Sequence, residues 1–441
     1  MSKLLLKSGR VIDPSTGLDE ITDVLIEEGL IKTVAAGLET DGVDSIIDCA
    51  GFLVTPGWID AHVHLRDPGL TYKEDLQSGA EAALAGGFTR MCCMPNTNPA
   101  LDSSAAIRDI VQRGGATGVH IHPIGTITVG RLLQDVAPLA EMASSGAIGF
   151  SDDGESTVSE DAMRKALRLS IELDRPVMVH CEDPDLARGG SMHRGTVSAE
   201  LGDPGIPAAA EENYIERDIR LAEETGGWLH VLHVSTVRGA EMVASARERG
   251  VNVTAEVMPH HLTLTDEWVA GRRRIAGRTE TVDIGRIDTN AKVNPPLRPE
   301  SDALGLLDFV IDGTFDFIAT DHAPHAERDK PNTLSDAASG MSGLELAVPT
   351  MSILVRDGRI GWPDVVRLFT HAPAQTLHLD GGTLKPGAAA DVTVIDPDRL
   401  WTVTPDTLKS RSKNTPFIGM EVQGKAVVTI LAGEVRHDDR S

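Results

Sequence analysis

Asp60, His62 and His64 lie in the stretch DAHVHLRDPG, directly after the apolar run GFLVTPGWI. Successive side chains on a strand point to opposite faces, so His62 and His64 project the same way, a spacing that suits two imidazoles on one metal ion. The pair alone is equally compatible with ordinary packing in a half-buried strand. Arg66 follows two residues later and adds a guanidinium that could hold a carboxylate through two parallel hydrogen bonds. Asp153, His180, His233 and Asp321 each end a similar apolar run further along. A metal-assisted hydrolysis is the chemistry such a set would serve.

The elements that must position these residues form an alternating series. Eight strand candidates, GWIDAHVHL, TRMCCMP, VHIHPIGTIT, AIGFSDDG, PVMVHCED, WLHVLHVST, VNVTAEVMPH and DFIATDHAP, alternate with helical stretches such as KEDLQSGAEAALAGG and SEDAMRKALRLSIELD. That pattern predicts an α/β fold, a (β/α)8 TIM barrel, whose active site is built at the C-terminal ends of its strands. His62 and His64 end the first strand, Asp153 the fourth, His180 the fifth, His233 the sixth and Asp321 the eighth. Six candidate ligands thus share one mouth.

Both ends of the chain read differently, as short β-type runs broken by turn signals. LLKSGRVID near the start resembles TILAGEVRH near the end, which suggests that the two pair in one sheet. The expected division is a composite β-sandwich-like domain from residues 1–55 and 380–441, and a metal-dependent barrel catalytic domain over 56–379.

Composition narrows the function. Forty-one Lys and Arg against 66 Asp and Glu give a net charge of −25, which argues against nucleic acid or an anionic membrane surface as partner. An anionic small-molecule substrate would need local positive charge, from a metal and Arg66. Aromatic residues make up 3% of the chain, too few for recognition by stacking. Cys49, Cys92, Cys93 and Cys181 are too irregularly spaced for a disulfide framework and read as thiols of a reducing compartment. With no long apolar run and no signal-peptide pattern at MSKLLLKSGR, the expected location is the cytoplasm.

Four imidazoles and two carboxylates suit zinc better than calcium or magnesium. One or two Zn2+ per subunit are expected, with two favoured. His62, His64 and Asp321 would hold one and His180 with His233 the other, and Asp153 could bridge them. No lysine ends the third or fourth strand, and Lys165 falls inside a helical stretch, so a carboxylated lysine bridge is not expected.

The motifs DAHVHLRDPG, MPNTNP, SDDG, VHCED, HVST, VNPPLRP and ATDHAPH occur in an order that resembles the dihydroorotases of the amidohydrolase superfamily, bacterial class I type, over essentially the whole chain. The resemblance implies reversible cyclisation of N-carbamoyl-L-aspartate to L-dihydroorotate in pyrimidine synthesis. It implies His62, His64, Asp153, His180, His233 and Asp321 as metal ligands, with Asp321 also the catalytic proton shuttle. Asp152 is the less favoured ligand by this matching. Substrate contacts are implied for His64, Arg66, Asn96, Asn294 and His325. Backbone contacts are expected from Ser339 and Gly340, although Ala338 to Gly340 departs from the usual proline, apolar residue, glycine pattern. A homodimer and an association with aspartate carbamoyltransferase are further expectations. The alternatives are a hydantoinase, dihydropyrimidinase or allantoinase, and a catalytically silent scaffold for the carbamoyltransferase. The segment over 265–290, with Arg272, Arg273 and Arg274, reads as a solvated loop, or else as a lid or subunit contact.

Overall fold

The computed structural model describes residues 3–440. Eight parallel strands, Trp58–Val63, Phe88–Cys93, His120–Pro123, Phe150–Ser151, Val177–Val179, Leu229–Val231, Val253–Val257 and Phe317–Ile318, form two curved runs. Parallel bridges Gly125↔Phe150 and Val63↔His322 join the runs at both seams, so the sheet closes into a barrel. Its strands are apolar because both faces are covered. Every residue of Trp58–Val63 and Phe88–Cys93 is buried. Inside, Ala61, Cys92, Met178 and Phe317, drawn from different strands, and Ile124 and Leu232, each one residue past a strand, form one apolar cluster.

Helices follow the strands and end where the chemistry of their caps dictates. Helix Leu76–Gly86 starts at Asp75, whose carboxylate accepts from the Ser78 amide, and stops at Gly87, which takes a left-handed φ of 90°. The next strand begins one residue later. Trp58 stacks on Phe369 at 4.6 Å, with Phe88 edge-on to both, and ties the first two strands to the helix Trp362–Phe369.

The two ends of the chain share a second sheet. From one edge it runs Glu434–Asp438, Glu421–Leu431, Val392–Thr402, Leu53–Pro56, Lys3–Asp13, Leu18–Glu27 and Leu30–Ala35, with Ser45–Asp48 also beside Lys3–Asp13. LLKSGRVID and TILAGEVRH thus share one sheet, as expected, but not as neighbouring strands. Two strands, Val392–Thr402 and Leu53–Pro56, lie between them and pair with each other, Thr393 opposite Thr55. Both stretches alternate β-type residues, and alternation fixes which face is buried but not which strand is the neighbour. Asp391, entering this sheet, takes a buried ion pair from Arg90 at 3.0 Å and so joins the sheet to the second barrel strand. Among the described residues no helix is long and apolar enough to cross a membrane.

The first part of the segment over 265–290 is folded onto the protein. Trp268 is fully buried, packs against Phe417 at 5.4 Å and donates its indole N–H to the Arg274 carbonyl. Arg272 pairs with Glu200, Arg273 with Asp288, and Arg274 with Glu300 and Glu267, so the basic run is spent on local ion pairs. The solvated-loop expectation holds for residues 277–287, most of which are exposed, but not for 265–276, which Trp268 anchors in a core with Leu264, Val293 and Leu346.

Candidate metal centre

All six expected ligands lie in or within three residues of the C-terminal ends of their strands and are buried. Asp153 is the centre of the group. Its Oδ1 lies 3.4 Å from His233 Nε2, 3.8 Å from His180 Nδ1 and 3.8 Å from His62 Nε2, while its Oδ2 lies 3.5 Å from His64 Nε2. Asp321 Oδ1 lies 3.0 Å from His64 Nε2 and 3.6 Å from His62 Nε2. Two overlapping ligand sets result, His62, His64 and Asp153, and Asp153, His180 and His233.

The donor chemistry fits a divalent cation. His62 Nδ1 lies 2.6 Å from Glu256 Oε1, so that nitrogen carries the proton and Nε2 keeps a bare lone pair. His62 Nε2 is buried and has no hydrogen-bond partner among the described residues, which leaves a ligand atom aimed at two carboxylates. His64 is arranged the same way, with Nδ1 2.8 Å from Asn96 Oδ1 and Nε2 facing Asp321. Burial works against the Asp321 carboxylate, but His62, His64 and His233 hold it below the ordinary range. Asp321, His233 and Arg66 all adopt left-handed φ values, 48°, 34° and 59°, which non-glycine residues rarely take and which cluster at functional sites.

Asp152 is committed elsewhere. It accepts from the amides of Ile127 and Thr128 and from the hydroxyls of Thr128 and Thr157, which leaves it a loop anchor. Asp153 faces the cavity instead.

A cavity of about 280 Å³ opens above this centre and is lined by Arg66, Asn96, Asn294, His325, Ser339 and Gly340 besides the ligands. Arg66 is 7% exposed; its Nε donates to the Pro324 carbonyl, and no carboxylate pairs with it among the described residues. Burial lowers its pKa to about 10, against the pull of Asp321 and Asp153, so it stays cationic at neutral pH. Asn294 turns Nδ2 toward His180 Nε2 at 3.4 Å and leaves a buried Oδ1 without a partner. Gly340 has φ 132°, and a Cβ there would come within 2.7 Å of the Ala323 Cβ, so the altered loop still requires its glycine. Its conformation is held by Lys330, whose Nζ donates to the Ala338 and Gly340 carbonyls, and by Asn414, which donates to Gly340 and Ala323.

Glu256 and Asn414 were not among the residues expected from sequence. A glutamate inside the apolar strand VTAEV was the available signal for Glu256, because a fully buried carboxylate must be paired. Burial works against its carboxylate, but the imidazoles of His62 and His230 hold it down to about 2. Glu256→Gln is expected to weaken metal retention about 10- to 100-fold. A chelator competition followed by metal analysis reads this directly, and wild-type retention would remove Glu256 from the support of His62.

A closed barrel with two histidine sets around a shared aspartate at its mouth is a site built for metal-assisted hydrolysis. The amidohydrolase family model matches residues 53–436. A dihydroorotase of Geobacter metallireducens is 44% identical over 433 residues, 98% of this chain and 99% of that protein. A dihydroorotase of Pelotomaculum thermopropionicum is 45% identical over 439 residues, 99% of each. Among solved structures, the L-hydantoinase of Arthrobacter aurescens superposes with a TM-score of 0.86 at 26% identity, covering 100% of this chain and 97% of that one. The dihydropyrimidinase of Brevibacillus agri superposes at 0.82 with 22% identity over 100% and 96% of the two chains, a likeness of fold. The chain belongs to the amidohydrolase family, on its dihydroorotase branch.

Proposed function

We propose that the chain is a dihydroorotase that interconverts N-carbamoyl-L-aspartate and L-dihydroorotate, with water released on ring closure. The observation that carries this reading is Arg66, a buried guanidinium in the cavity wall with no carboxylate paired to it among the described residues. A substrate carboxylate completes it. Hydantoin-type rings need not bring one, and a silent scaffold would have no use for six intact ligands.

Residues 56–379 carry the reaction on this reading, and 1–55 with 380–441 support it. His62, His64, Asp153, His180, His233 and Asp321 would hold one or two ions, zinc by the preference of imidazole-rich sites. Such a cation supplies Lewis acidity, polarising a carbonyl and bringing the pKa of water toward about 7. The protein does the rest. Arg66, His325 and Asn96 take the substrate carboxylate, and Asn294 Oδ1 with the Ser339 and Gly340 backbone face the ring. The Asp321 carboxylate accepts the proton of the attacking water and delivers it to the ring amide nitrogen as the carbon–nitrogen bond breaks. Ring closure is the reverse path. Cytoplasmic location, a homodimer and association with aspartate carbamoyltransferase complete the proposal, and sizing of the protein with and without the transferase tests the last two.

Turnover of dihydroorotate, hydantoin and allantoin by one sample of measured metal content tests the assignment. Dihydroorotate should be the preferred substrate by a wide margin, and preference for either of the others would reverse the reading. Arg66→Met is expected to cost about 1.5–3 kcal/mol of transition-state stabilisation for the carboxylate-bearing ring, about ten- to a hundred-fold in kcat/KM. Hydantoin should lose far less. Equal losses for both rings would take the carboxylate away from Arg66.

A further inference from the structure

His325 meets a different partner on each ring nitrogen. Lys73 Nζ lies 3.1 Å from Nδ1, and the Ser339 carbonyl oxygen lies 2.9 Å from Nε2. An ammonium can only donate and a carbonyl can only accept, so the two contacts, from separate parts of the chain, demand the same arrangement: Nδ1 bare and Nε2 protonated. Burial, with the positive charges of Arg66, Lys73 and Lys330, brings the ring down to about 2, so it is neutral and has one proton to place. Lys73 is held in turn by Asp329 at 3.5 Å, and Asp329 is fixed by the Ala326 amide. Arg66 sits 3.3 Å from the same Nε2 but cannot donate to a nitrogen that already carries a proton. Its terminal nitrogens are therefore left for an anion.

We propose that Lys73 is a positioning residue for substrate binding: by occupying Nδ1 of His325 it keeps the N–H on Nε2, on the side of Arg66 and the substrate cavity. The proposal rests on the reading of His325 and Arg66 as the carboxylate clamp. With the proton on the other nitrogen, His325 would turn a lone pair toward the Ser339 carbonyl and the incoming carboxylate, and Arg66 would be drawn into a bond with the ring. Lys73 itself does not line the cavity, and the polar partners of its ammonium are His325 and Asp329. Its effect passes through His325.

The test replaces the donor by an acceptor. In protein carrying 15N-labelled histidine, with the His325 signals assigned by their loss in His325→Asn, the wild type should show a protonated Nε2 and a bare Nδ1. Lys73→Arg, which still donates, should show the same. Lys73→Glu should bring a proton to Nδ1 and raise KM for dihydroorotate about tenfold, with a smaller change in kcat. Should Lys73→Glu not fold, Lys73→Gln, whose amide can present its oxygen, takes its place. A protonated Nδ1 in the wild type, a bare Nδ1 in the acceptor variant, or a moved proton with KM unchanged would each overturn the proposal. The ring is observed without substrate, so the two readings separate. A chain that switches its ring but does not turn over dihydroorotate keeps the proton placement and loses the substrate assignment. One that turns over dihydroorotate with a ring indifferent to Lys73 loses only the present proposal.

Discussion

Asp321→Asn is expected to lower kcat by about 10² to 10⁴, the range of a general acid and base, while the protein stays folded. Asn is isosteric and is among the few residues that tolerate the left-handed φ of 48° found here, so the backbone at the end of the eighth strand has no reason to move. What changes is chemical. The carboxylate oxygen that faces His64 at 3.0 Å and His62 at 3.6 Å becomes an amide, which can neither take a proton near neutral pH nor offer a full negative charge to a cation. Steady-state kinetics at matched metal content, with thermal unfolding as the control for folding, reads the effect. Near-normal kcat in a folded variant of full metal content would move the proton transfer to another group.

The second large effect is expected at Asp153. Asp153→Ala removes the one side chain common to both ligand sets. His62 and His64 would keep Asp321 beside them, at 3.6 and 3.0 Å, whereas His180 and His233 would be left with each other. Metal content should therefore fall unevenly, with the His180 and His233 side emptied first, and activity should fall by at least two orders of magnitude, about the value of the proton-transfer and charge terms together. Metal analysis after graded dialysis against a chelator distinguishes the two sides. Even loss from both, or a fully loaded variant, would mean that Asp153 is not the shared ligand. Because an aspartate and not a carboxylated lysine stands at the centre, reconstitution should be indifferent to bicarbonate.

The barrel strands were legible because strands covered on both faces are apolar runs, and these eight runs each break at a polar or turn residue where the mouth begins. His62, His64, Asp153, His180, His233 and Asp321 were legible for the same reason: histidines and aspartates at strand ends stand out against Val, Met and Ile. The supporting partners were not. Glu256 reaches His62 across 194 residues of sequence, and Asn414 meets His325 across 89. No local pattern encodes such a meeting, since it exists only after the barrel has closed and residues 403–420 have packed against it. Trp268 shows the opposite error. Three consecutive arginines nearby drew attention to charge, while the single buried indole decided that residues 265–276 would be packed.

The sheet made from both ends of the chain has a bearing on synthesis. On a ribosome the strand Leu53–Pro56 emerges long before Val392–Thr402, its neighbour, so through most of translation one of its edges stands open. An open edge is a template for pairing with other chains. The barrel's first strand, which starts two residues after Leu53–Pro56 ends, is attached to that edge throughout. Release of a chain truncated before residue 392 would leave the edge bare permanently, with the apolar side chains of Val54 and Val11 beneath it stripped of Val394 and Val428. Val392–Thr402 and the strands after it thus cover that edge, and a product that lacks them exposes it to pairing with other chains.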